Sequence, residues 1–244
     1  MKRRINKKVY KLLITLVIAA ILGIANNFNI DIEGYIDNIT KLNKISYTTS
    51  FDLTTIPEFL NVPYVVLNEN MPDFTEEDLI KENFEYYSPL DYLGRCGTAF
   101  AKIGIETMPT EERGEIGQIK PSGWKTVKYD NIDGKYLYNR CHLIGFQLAG
   151  ENANEKNLIT GTRYMNVEGM LPFENMVAEY VKKRNNHVLY RVTPIFEGEN
   201  LVASGVQIEA KSIEDNGKGI CFNVYVYNAQ PGIIIDYSNG KSSK

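Results

Sequence analysis

Three cysteines in 244 residues, with no Cys-x-x-Cys pair among them, are too few and too scattered for a disulfide scaffold or a zinc knuckle. Cys141 and His142 are neighbours, but adjacent side chains on a strand point apart and cannot grip one ion. Outside the cell, an odd count leaves either one disulfide and one free thiol or three buried thiols. No Gly-Lys-Ser/Thr ending follows the glycines between Arg113 and Trp124, which excludes a phosphate-cradling P-loop. The chain has no internal repeat, heptad run or low-complexity block, so solenoids and coiled coils are excluded too. Histidine occurs only twice, at 142 and 187, and tryptophan once, at 124.

A chain with 43% hydrophobic and 23% charged residues can bury a sizeable core, and its length suits one domain plus a leader. Lys2, Arg3, Arg4, Lys7, Lys8 and Lys11 precede the apolar run Leu12 to Ala25, and no acid interrupts them. This is the pattern of an export signal, so residues 1–25 read as a signal peptide cut before Asn26 or, if uncut, a membrane anchor. The run is short for a comfortable membrane span, which favours the signal peptide. Removing the six basic residues of this leader leaves 21 cations against 30 acids, a net charge of −9. A chain this acidic has no global field to draw in a polyanion, so any such ligand requires a local basic patch or a bound cation.

Residues 26–57 are polar and aperiodic and read as a linker, the folded domain as 58–238, and 239–244 as a loose tail. Pro63 to Asn68 has strand composition, and Thr75-Glu-Glu-Asp78 is a capping box opening a short helix. Leu90 to Gly104 reads as a strand or tight turn. Trp124 to Tyr129 and Lys135 to Phe146 read as a hairpin around Asp130-Asn-Ile-Asp-Gly134. Its second arm would put Arg140 and His142 on one face and Asn139 and Cys141 on the other, unless the strand bends or ends there. Phe173, Met176, Val177, Tyr180 and Val181 recur at helical spacing and predict a helix packed on a sheet. His187 to Phe196, Leu201 to Ala210 and Ile220 to Tyr227 read as strands, with 231–237 as an added edge. The fold class is therefore α+β with a central antiparallel sheet.

The most informative stretch is Tyr136-Leu-Tyr-Asn-Arg-Cys-His-Leu-Ile-Gly-Phe146, because an imidazole inside such an apolar run demands a reason. Asn139, Arg140 and His142 lie within four residues, and Asn157, Asn166 and Glu174 follow in a loop-to-helix segment. This pattern resembles the DNA/RNA non-specific endonucleases, the ββα-metal or His-Me finger nucleases, in which Asp-Arg-Gly-His ends a strand and a later helix carries a metal-binding Asn with a Glu eight residues on. Asn139-Arg140-Cys141-His142 stands in place of the tetrapeptide, and Asn166 and Glu174 keep the interval. Asn157 falls where the family often has an Asn. The resemblance runs from about Leu93 to Arg191 and is closest to secreted streptococcal-type members.

What the resemblance implies is a phosphodiester hydrolase. A neutral imidazole, His142, suits the role of general base. Asn166 would be the direct ligand of one divalent ion, Mg²⁺ with Mn²⁺ as substitute, and Glu174 would accept hydrogen bonds from its waters. Asn139 in place of Asp removes a negative charge near the metal and predicts weaker affinity. Arg140 would brace that shell, reach a phosphate or pair with Glu174. Arg113, Lys120 and Lys125 are the candidate phosphate clamps, and Trp124 either a stacking face or a core plug. Pro172 marks a kink or a new helical turn between the two metal-site residues.

The expected partner is DNA, with RNA as a second substrate, on the outer side of the cell; no protein partner is predicted. One competing reading is a surface nucleic-acid-binding protein that has lost catalytic power through Asn139 and Cys141. Another is an envelope protein carrying the motif by coincidence.

Overall fold

The computed structural model describes residues 56–244; the leader and nearly all of the predicted linker lie outside the described residues. Six strands form one antiparallel sheet: β1 (Tyr64–Val66), β2 (Glu85–Tyr87), β3 (Ala99–Ile103), β6 (Val188–Ile195), β7 (Gly205–Ser212) and β8 (Cys221–Tyr227). Their spatial order is β1-β8-β7-β6-β3-β2. Alternation along β6 explains both faces of this sheet. Val188, Tyr190 and Val192 join the main core, whereas Leu189 and Arg191 point the other way.

The core face is covered by α3 (Leu171–Arg184) through Phe173, Val177, Ala178 and Val181. Burying each of the larger of these side chains contributes about 1.5–3 kcal/mol. Met176, predicted on the same stripe, is instead about half exposed, one position off the buried arc. On the opposite face, Arg191 and Glu209 form a buried ion pair at 2.8 Å. Asp73 completes it: its N–H donates to Glu209 and its carbonyl accepts from Arg191. Phe74 stacks on Phe100, so the chain between β1 and α1 (Glu76–Ile80) is strapped across the sheet. Thr75 and Asp78 cap α1 reciprocally, as their spacing predicts.

The second layer is a separate pair, β4 (Tyr138–His142) and β5 (Leu158–Thr162). The strand bearing His142 therefore pairs forwards, not backwards with 124–129. Of the predicted hairpin only a single bridge, Lys128 to Tyr136, is formed. Gly134 and Lys135 both take positive φ there, and two backbone bonds, Tyr129 N–H to the Lys135 carbonyl and Leu137 N–H to the Val127 carbonyl, join the arms. The short helix α2 (Phe146–Ala149) lies in the β4–β5 connection. The C-terminus also differs from expectation: β9 (Ile234–Asp236) pairs with β10 (Lys241–Ser243), so the predicted tail is one arm of a hairpin. That hairpin closes a small second core, where Ile233 and Ile235 pack on Ile132, Leu137 and Tyr138.

Candidate active site

The β4–β5 pair runs into six residues of π-helix, Met165–Met170, and then directly into α3. Its opening N–H groups are accounted for by side chains. Thr162 Oγ1 accepts from Met165 N–H, and Gln230 accepts from Tyr164 N–H. The π turn bears on the spacing of Asn166 and Glu174. Eight α-helical steps of about 100° overshoot two turns by roughly 80°. A turn closed at i→i+5 advances less per residue and removes part of that offset. Asn166 and Glu174 consequently line one cavity, of about 740 Å³, together with Asn139, Arg140 and His142. Pro172 lies directly after the π turn, whose last bond runs from Leu171 N–H to the Asn166 carbonyl, so the residue without an N–H stands where π gives way to α.

His142 is buried, and its ring is held at both ends. Nε2 lies 2.8 Å from the Asn152 carbonyl, so that nitrogen carries the proton. Nδ1 is left as the acceptor, 3.4 Å from the Arg113 guanidinium. Burial pulls the imidazole below its ordinary pKa and the Arg113 charge adds to this, against hydrogen bonds to the backbone at 151–152. Burial also pushes Glu174 up to about 7, opposed by a hydrogen bond from Gln147 and by Arg113. A cation beside Glu174 would reverse that shift and ionise it.

The residues present suit a hard cation. Asn139 Oδ1 is buried without a hydrogen-bond partner, an acceptor with nothing to accept from. With the Asn166 amide and the Glu174 carboxylate it makes an oxygen-only donor set. Among the described residues no cluster of three His, Cys, Asp or Glu side chains could hold a metal. Protein oxygens completed by water are the usual surroundings of a hard divalent cation.

Around this set the other side chains brace. Arg140 donates to the carbonyls of Ile119 and Gly117 and stacks on Trp124 at 4.0 Å, so it ties the 113–124 loop to β4 and pairs with no acid. Trp124 also packs against the small second core of Ile132, Leu137 and Tyr138, and it lines the cavity. Asn157 is fully buried, and its amide both accepts from Ile144 N–H and donates to Ile144 C=O. The Glu174 carboxylate lies where a Cβ on Gly145 would be. Cys141 points into the core, its Sγ filling the space a Cβ on Gly161 would need. All three cysteines are free, two of them buried.

Of the three predicted phosphate clamps, Arg113 is on the cavity wall, while Lys120 and Lys125 are exposed and off it. Among the polar wall residues that escaped the sequence reading are Arg163 and Gln147. For Arg163, its position three residues before Asn166 was the available signal. For Gln147, nothing in its surroundings marks it.

This arrangement has counterparts. A family model for DNA/RNA non-specific endonucleases matches residues 75–214. The chain belongs to the DNA/RNA non-specific endonuclease family. It is 32% identical over 121 residues to a deoxyribonuclease of Streptococcus dysgalactiae subsp. equisimilis, a match that takes in 48% of this chain but only 35% of that protein's length. The fold matches the crystal structure of NucA from Streptococcus agalactiae with magnesium bound, at TM-score 0.68 and 25% identity over 78% of this chain and 92% of that one. The Sda1 nuclease with bound zinc matches at TM-score 0.63 and 25% identity, over 75% and 96% of the two chains. In this family setting, β4, β5 and the helix after them are the ββα-metal unit.

Proposed function

We propose that this protein is an exported endonuclease that hydrolyses phosphodiester bonds of DNA, and of RNA, with the help of one divalent cation. The observation that carries the reading is the fixed tautomer of His142: with Nε2–H engaged by the Asn152 carbonyl, Nδ1 keeps its lone pair on the cavity wall. That nitrogen takes the proton from the attacking water. Asn166 would hold the cation through its amide oxygen, Glu174 would orient its waters, and Asn139 would offer the further acceptor. Mg²⁺ is the ion these oxygens suit, and it is the ion bound in the NucA crystal structure. When bound, the cation supplies positive charge opposite the phosphoryl and leaving oxygens. Arg113, beside Nδ1, holds the phosphate against the base. None of these groups addresses a base edge, which supports cleavage with little sequence preference.

The basic, then apolar start of the chain supports export, with residues 1–25 as leader and 26–57 as linker. The catalytic domain then runs from 58 through the β9–β10 hairpin. Plasmid cleavage with Mg²⁺, with chelator, and by His142→Ala tests the reading. Cutting that requires the cation and vanishes in the variant is expected. Folded protein that cuts neither DNA nor RNA with any of several divalent ions would overturn it.

A further inference from the structure

Arg140 has its guanidinium committed to loop carbonyls, and Arg113 addresses His142. Arg163 is the third arginine on the wall. Its backbone is fixed by an N–H bond to the Leu137 carbonyl at 2.7 Å. Among the described residues its guanidinium makes one bond, Nη2 to Asp133 Oδ2 at 2.8 Å, out of five N–H donors. Asp133 stands on the 130–134 turn with its side chain 83% exposed, against 35% for Arg163. A pair so exposed is weak and easily exchanged. A phosphodiester offers the same guanidinium two oxygens in the geometry of a bidentate contact.

We propose that Arg163 binds the nucleic-acid phosphate neighbouring the one being cleaved, and that Asp133 is the internal anion this phosphate displaces. The proposal rests on the nuclease reading of the same cavity. Arg113 touches His142 and Arg163 reaches instead towards the 130–134 turn, so the two cations take different phosphates of one strand. In a chain of net charge −3 overall, such a local contact matters more than any general field. Asp133 would disfavour the binding of weak anions and leave the site to a polyanion that also fills the rest of the cavity.

The test is a double-mutant cycle in the His142→Ala background, with binding of a short labelled DNA duplex measured across a salt series. Asp133→Asn is expected to tighten binding by roughly two- to five-fold, the scale of an exposed ion pair. Arg163→Gln is expected to weaken binding and to lower the slope of log K against log salt by about one. In the doubly substituted protein the gain from Asp133→Asn should disappear, because its partner is gone. Arg163→Lys should restore the slope but only part of the affinity. With His142 in place, Arg163→Gln should raise KM by a larger factor than it lowers kcat.

A gain from Asp133→Asn that persists in the Arg163→Gln background would mean that Asp133 acts through overall charge, and the proposal falls. An unchanged salt slope in folded Arg163→Gln overturns it as well. Either result beside a wild-type protein that cuts DNA leaves the nuclease reading standing. Wild-type protein that neither cuts nor binds nucleic acid would remove both.

Discussion

The Asn152 carbonyl lies 2.8 Å from His142 Nε2, so a loop residue ten positions downstream decides which nitrogen of the imidazole is basic. A β-strand supplies the ring's position, and the loop supplies its tautomer. The two together leave the acceptor nitrogen of a buried histidine on the Arg113 side.

The acid limb of the reaction should therefore lie below pH 6.5. Burial, with Arg113, depresses the His142 pKa, so the folded ring stays neutral at pH values where the unfolded one is protonated. Across that interval the unfolded chain binds the extra proton, and stability as well as activity rises with pH. Replacing Arg113 by Gln removes one of the depressing influences. The limb of kcat/KM against pH should then move up towards 6.5 while the plateau falls. A wild-type limb above 6.5 would point to another base.

Gly145 is needed for what it lacks. Its φ of −58° is open to any residue, so Gly145→Ala should fold with a nearly unchanged melting temperature. The added methyl nevertheless occupies the place of the Glu174 carboxylate. If Glu174 orients metal-bound water as proposed, displacing it should raise the half-saturating Mg²⁺ concentration by roughly ten-fold or more, the usual cost of disturbing a metal's supporting partner. A metal titration of cleavage rate measures this, and an unshifted midpoint would take Glu174 out of the metal site.

His142, Asn166 and Glu174 were grouped through the resemblance to the family rather than by their own settings, and the fold brings all three to one cavity. Strand composition announced β6, β7 and β8, whose alternation is long enough to read. The partner of β4 was not legible. Pairing with β5 depends on contacts across a connection of fifteen residues, 143–157, whereas composition signals only the nearest turn. The π-helix was equally hidden, since Met165-Asn-Val-Glu-Gly-Met170 carries no mark that separates it from α-helix. Arg163 escaped because a lone arginine at a strand end is usually a surface ion pair, and its place on the cavity wall is a tertiary fact.

The substitution of Cys141 for the family's glycine is a packing exchange rather than a chemical one. Its thiol faces the core against Gly161, and burial pushes its pKa far above the ordinary range. Cys96 is pushed up to about 12, again by burial. Only Cys221 is partly exposed. A thiol reagent should consequently label one cysteine rapidly in the native protein, a signal lost in Cys221→Ser, and all three after unfolding. Rapid labelling of Cys141 would mean that β4 opens on its own.

Asn157 links stability to the site. Both polar groups of the Ile144 backbone are satisfied by its one amide, inside a region with no access to water. Asn157→Ala should cost about 2–3 kcal/mol, because a buried N–H and a buried C=O lose their partners together. Urea denaturation would measure that loss. The consequence reaches further, because Ile144 is followed directly by Gly145, whose backbone is where the Glu174 carboxylate rests. If Ile144 shifts, the seat of Glu174 shifts with it, so the variant should also need more Mg²⁺ at a temperature where it is fully folded. A stability loss without any change in the metal requirement would reduce Asn157 to a clamp on the turn, with no hand in positioning Glu174.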